Sequence, residues 1–196
     1  MFATALLAAA LAAPVPKAQA AELYYPPVEG TKWVMQTKSG NETSETTTTV
    51  SKVVEKDGKY TVTLTRELGG AALNTSFEVS AEGVFRRPTS GPAKGELTPL
   101  LKLPAKEGDT WTTEMPGFGK DVTTTATFTV GKREVVEVPA GKYTATPVSF
   151  DVTLNGRVMK STSWYAPGVG VVKHVSGIGA TEQVQELKEF TPGKAK

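Results

Sequence analysis

His174 is the only histidine in the chain, and there is no cysteine. A Ser-His-Asp relay would have to be built on His174, and a multi-histidine or thiolate metal site cannot be built at all. Cysteine nucleophiles, disulfides and a lipid-modified cysteine fall with the same count. No Gly-x-Ser-x-Gly elbow, phosphate-binding loop or dinucleotide fingerprint occurs. Sixteen Glu and four Asp leave paired carboxylates open for glycoside chemistry, and Glu107 and Asp109 beside Trp111 come nearest to such a pair. A turn at Gly108 accounts for them more simply. His174 follows Lys173 in a strand-like run, where a surface or half-buried histidine is the usual outcome. The expectation is no catalytic residue, no metal, no cofactor and no enzymatic activity.

Charge narrows the partners. The net charge is +2, and basic and acidic residues alternate without a run of either sign. A nucleic-acid partner needs Lys and Arg clustered on one face, so none is expected.

The N-terminus, Met1 to Ala13, is an apolar run shorter than the roughly 20 residues that span a bilayer. It matches the hydrophobic region of a secretory signal, with small-residue cleavage options after Ala12 and after Ala20. No Lys or Arg precedes it, so either the α-amino group supplies the charge or the true start lies upstream. The expected organisation is a signal peptide over 1–20, an extended segment over 21–30, a β-domain over 31–190 and a flexible tail over 191–196. The mature protein is expected to be periplasmic or secreted, with no transmembrane anchor and not a lipoprotein.

Beyond the leader, helical periodicity is almost absent. Valine, threonine and aromatics fill runs bounded by Gly, Pro, Asn or Asp, the pattern of strands and turns. Strands are predicted over 31–37, 43–55, 59–67, 73–80, 83–87, 109–114, 121–130, 133–138, 142–154, 157–165, 169–176 and 181–190. Lys56-Asp57-Gly58-Lys59 and Leu154-Asn155-Gly156-Arg157 carry the dipeptides that favour type I′ hairpins. Short loops make successive strands antiparallel neighbours. Tyr60, Val62 and Leu64 share one face, as do Ala126, Phe128 and Val130, and likewise Val148, Phe150, Val152 and Leu154. The predicted fold is all-β, a single antiparallel meander curled into an open or half barrel. A closed barrel or a two-sheet sandwich is the alternative.

The Asn155-Gly156 hairpin fixes a register. A two-residue loop pairs Val152 with Met159, Phe150 with Ser161 and Val148 with Ser163 on the apolar face, and sets Asp151 opposite Lys160 outside. Small serines facing large apolar side chains leave room, which either another element fills or a cavity occupies. The candidate concave face is Tyr143, Val148, Phe150, Val152, Met159, Ser161, Ser163 and Tyr165. The segment from Arg87 to Leu103 is rich in Pro and Gly and reads as irregular, either a connector at one end of the sheet or a cover.

A second group of residues reads as structural. Trp33 and Trp111 each follow a glycine into a strand, where an indole N–H can bond a backbone carbonyl at the end of a barrel. Pro139 and Gly141 form a turn, Trp164 and Tyr165 point to opposite faces, and Pro167, Gly168 and Gly170 turn the chain at a corner. The series Gly30-x-x-Trp33, Leu103-Pro104-x-x-x-Gly108-x-x-Trp111, Val138-Pro139-Ala140-Gly141-Lys142-Tyr143 and Trp164-Tyr165-Ala166-Pro167-Gly168-Val169-Gly170-Val171-Val172-Lys173 resembles a broad group of exported bacterial domains of the TapB-like kind. That resemblance implies a cell-envelope β-domain, similar in architecture to the open barrels of the LolA/LolB type, and no established activity. The functional expectation is a non-catalytic envelope domain holding a hydrophobic small molecule or lipid on its concave face. A structural or protein-interaction module with an envelope partner is the alternative.

Overall fold

The computed structural model describes residues 23–68, 70–88, 96–116, 123–154, 157–178 and 181–194. The signal segment expected over 1–20 and the turn pair Asn155-Gly156 lie outside them. Among the described residues there are thirteen strands and no helix. The first six are β1 (Lys32–Ser39), β2 (Glu42–Lys56), β3 (Lys59–Leu68), β4 (Ala71–Ser80), β5 (Gly83–Arg86) and β6 (Thr98–Lys102). The others are β7 (Thr110–Pro116), β8 (Thr123–Val130), β9 (Glu134–Val138), β10 (Gly141–Leu154), β11 (Arg157–Ala166), β12 (Gly170–Ile178) and β13 (Thr181–Thr191).

Local chemistry sets the hairpins. Asp57 and Gly58 join β2 to β3 with φ of 54° and 74°, the two left-handed residues that an Asp-Gly turn supplies. Leu154 pairs with Arg157, and the alternation then places Val152 opposite Met159, Phe150 opposite Ser161 and Val148 opposite Ser163. On the outer side Lys160 Nζ lies 3.8 Å from Asp151 Oδ2. Both groups are well exposed, so this pair contributes a fraction of a kcal/mol at most.

The sheet runs β6-β5-β4-β3-β2-β1-β13-β12-β11-β10-β8-β7, every neighbour antiparallel. β1 pairs with β13 from Lys32–Thr191 to Ser39–Gln183, so the two ends of the domain seal each other. β9 stands off this circuit and pairs with Gly141–Ala145 of β10, while β8 takes Val148–Val152. The result is a nearly closed twelve-strand barrel with one unsealed seam, between β6 and β7. The curled meander is therefore carried further round than a half barrel.

β6 corrects the expectation of an irregular stretch from Arg87 to Leu103. Thr98–Lys102 pairs with β5, and Leu101 opposite Val84 is fully buried. Pro99 hid the strand, because proline removes a ladder donor and is tolerated mainly on edge strands. β6 is such an edge. Residues 89–95 of the same stretch lie outside the described residues.

The barrel is stoppered at the end where β1 begins and β11 finishes. Tyr24 and Tyr25, from the segment expected only to lead into the domain, are buried there. Tyr25 stacks on Phe77 at 5.6 Å between ring centroids and lies 5.9 Å from Trp33. The corner between β11 and β12 wraps this stopper: Gly168 N donates to Leu23 O at 2.8 Å, and Trp33 Nε1 donates to Val169 O at 2.7 Å. Gly170 has φ of 97°, and a Cβ on it would lie 2.7 Å from the Tyr25 ring, so the close approach requires glycine. Tyr165 turns inward and is buried, whereas Trp164 stays outside with its indole N–H on Glu134 Oε1 at 2.7 Å. At the other terminus, Gly193 N donates to Thr31 Oγ1 at 3.0 Å.

Candidate functional site

Twelve strands enclose more volume than their inward side chains fill. A cavity of about 620 Å3 lies inside the barrel. Phe77, Leu100, Phe128, Val148, Phe150, Met159 and Val171 form its apolar wall, and Phe128 and Phe150 meet at 5.0 Å between centroids. The space exists because Ser161, Ser163 and Ser176 occupy inward positions where the alternation would elsewhere place large apolar groups. The volume falls within the 300–1,000 Å3 range of ordinary ligand pockets.

Of the eight residues expected on the concave face, Val148, Phe150, Met159, Ser161, Ser163 and Tyr165 line this cavity. Tyr143 and Val152 do not. Tyr143 lies on the first part of β10, which pairs with β9, and its hydroxyl points to Ala140 O at 3.5 Å. Val152 is buried in the core opposite Ala126 and Met159. β10 is fourteen residues long, and only its middle faces the cavity.

The polar lining is the part that the residue patterns did not single out. Arg66 follows Tyr60, Val62 and Leu64 on the inward face of β3, and Arg86 follows buried Val84 on β5 opposite Phe77. Both arginines are exposed and line the cavity, which places them at its rim. Extending the alternation by one step would have found Arg66. His174 and Gln185 come from β12 and β13, paired with each other and lining the same space. Ser163 Oγ and His174 Nδ1 are 2.8 Å apart. Burial lowers the His174 pKa below its ordinary value of 6.5, so the ring is neutral at pH 7.

Two phenols complete the polar side. Burial pushes the Tyr25 pKa up to about 12, offset in part by a backbone hydrogen bond from Val171. Burial also raises that of Tyr165, reinforced by Tyr25 and opposed by the Ser163 hydrogen bond and the Arg86 charge. Both stay protonated and serve as hydrogen-bonding groups. The cavity lining contains no Asp or Glu, so the Ser163–His174 pair has no orienting carboxylate there. No group of three His, Cys, Asp or Glu suited to a metal ion occurs among the described residues.

A second hollow, about 750 Å3, lies on the outside, lined by Lys32, Glu45, Thr47, Thr49, Ser51, Thr65 and Glu67. Within it Thr65 Oγ1 lies 2.7 Å from both Ser51 Oγ and Asn74 Oδ1. It offers a wet, polar surface and no apolar wall.

No family model and no curated protein matches the chain, so the likeness to TapB-like domains rests on motifs alone. Solved structures do share the fold. A candidate lipoprotein from Parabacteroides distasonis aligns with a TM-score of 0.56 and 13% identity, covering 88% of this chain and 100% of that one. A candidate exported protein with a YmcC-like fold from Bacteroides fragilis aligns with a TM-score of 0.54 and 14% identity, covering 87% and 100%. At such identities the likeness is one of architecture.

Proposed function

We propose that the protein is a non-catalytic cell-envelope barrel that binds a hydrophobic ligand with an acyl chain in its interior. The observation that carries this reading is the 620 Å3 cavity walled by Phe77, Phe128, Val148, Phe150 and Met159 and kept open by Ser161 and Ser163. An acyl chain suits it because a flexible apolar chain gains contact with aromatic and aliphatic walls without needing fixed polar partners. That one fold neighbour is described as a candidate lipoprotein and another as a candidate exported protein supports the envelope assignment. The unpaired facing edges of β6 and β7 favour a second reading, in which a partner strand adds at the seam.

Titration with the neutral hydrophobic probe N-phenyl-1-naphthylamine tests the cavity. Saturable fluorescence enhancement is expected, and Ser161→Phe, which fills the space beside Phe150, should abolish it while the protein stays folded. No saturable enhancement in the unaltered protein would overturn the reading.

A further inference from the structure

We infer that the cavity selects amphiphiles with an anionic head, a carboxylate or a phosphate monoester, because Arg66 and Arg86 stand at its rim and no carboxylate lines it. This rests on the reading of the interior as a ligand site. The cavity lining carries two arginines and neither an Asp nor a Glu, in a chain whose acids and bases are otherwise interspersed.

The contrast with the next residue sharpens the point. Arg87 points the other way and is ion-paired, its Nη1 3.6 Å from Glu78 Oε2. Arg66 and Arg86 form no ion pair among the described residues. The outward Arg87 thus has a carboxylate partner, and the inward Arg86 has none among the described residues. On β3 and β5 these positions continue faces that are apolar up to Leu64 and Val84. Exposed at the rim, each guanidinium keeps its charge at the edge of an apolar wall, where a ligand's anionic head can reach it while its chain enters.

Geometry makes that anion part of the ligand. Phe77 lies directly across from Arg86 in the ladder and is itself in the cavity wall, so charge and apolar surface adjoin. The Arg86 charge also acts on the Tyr165 phenol, which sits beside Ser163. A head group held at Arg86 therefore has hydroxyl donors within the cavity and an apolar wall leading away from it. Guanidinium forks match carboxylate and phosphate oxygens in pairs, which a neutral glycerol or a cationic head cannot reproduce.

Displacement of N-phenyl-1-naphthylamine separates the possibilities. Dodecanoate and dodecyl phosphate are compared with neutral 1-monododecanoylglycerol and cationic dodecyltrimethylammonium, against the unaltered protein and the Arg66→Gln and Arg86→Gln variants. The anionic pair should displace the probe at lower concentration than the other two, and whichever anion wins distinguishes carboxylate from phosphate. Each variant should lose roughly threefold to tenfold in affinity for the anions and nothing for the neutral amphiphile. The anionic advantage should shrink with added salt, since the rim is solvent-exposed. Equal displacement by neutral and anionic chains, or unchanged affinities in both variants, would overturn the head-group assignment alone. Failure of every amphiphile to displace the probe would overturn the ligand site as well.

Discussion

The indole N–H of Trp111 donates a 3.0 Å hydrogen bond to the carbonyl of Pro99 and so spans the seam between β7 and β6. Lys102 Nζ lies over the same indole, 5.5 Å from its centroid, and Trp111 stacks on Phe128 at 5.3 Å on the inner side. One side chain thus fastens the two unpaired edges and packs against the cavity wall. Trp111→Phe keeps an aromatic ring against Phe128, though a smaller one, and removes the donor. It should cost about 1 kcal/mol of stability and speed release of a bound probe, measured by urea unfolding and stopped-flow fluorescence. An unchanged release rate would mean that ligand does not pass the seam.

Gly170 is where the corner and the stopper meet. Gly170→Ala puts a methyl against the Tyr25 ring at a backbone φ of 97°. Stability should fall by at least about 2 kcal/mol, read as a lowered midpoint in chemical denaturation. A near-neutral result would show that Tyr24 and Tyr25 do not stopper the barrel in solution.

Much of this architecture was legible because it depends on local rules. An Asn-Gly dipeptide predicts one register, Leu154 pairs with Arg157 as that register requires, and from it the inward positions of Phe150, Met159, Ser161 and Ser163 follow by parity. The two tryptophans that follow glycines find backbone carbonyls, Trp33 at Val169 and Trp111 at Pro99. What local rules do not carry is closure. Nothing in the spacing of Leu23-Tyr24-Tyr25 says that these side chains fold into the barrel end, because their partners Phe77 and Gly170 are distant in sequence. Arg66 and Arg86 are hidden for a different reason. Charge at the end of an alternating strand reads as solvent exposure, and only the curl of the sheet turns it towards a cavity.

His174 should make stability depend on pH. Burial holds its folded pKa below 6.5, so the unfolded chain binds the proton more readily than the folded one. The stabilising contribution is full above pH 6.5 and is lost as pH falls through the depressed folded value. The stability of the unaltered protein relative to His174→Gln should be constant from pH 7 to 8 and decline below about 6.5. A difference that stays flat to pH 5 would place the imidazole in water.

The two buried phenols act in the opposite direction. The folded pKa of Tyr25 is raised from 10.0 to about 12, so the unfolded chain ionises first as pH rises. Their contribution is intact below pH 10 and drains away above it. Tyr25→Phe and Tyr165→Phe should each blunt alkaline unfolding, followed by circular dichroism between pH 9 and 12.

Chain length should set affinity within the cavity. Each added CH2 buried against Phe128, Phe150 and Met159 is worth about 0.8 kcal/mol, roughly fourfold in Kd. A series of alkanoates displacing a neutral probe should follow that slope until the space is full and then level off. A flat series would argue for binding at the rim alone.

Native mass spectrometry of the protein purified from its cells without detergent exchange tests the central claim most directly. The expected spectrum shows a non-covalent adduct of the mass of an acyl-chain amphiphile, displaced by added dodecanoate and absent from Ser161→Phe. A protein that emerges ligand-free, and stays so after incubation with dodecanoate, would contradict the account.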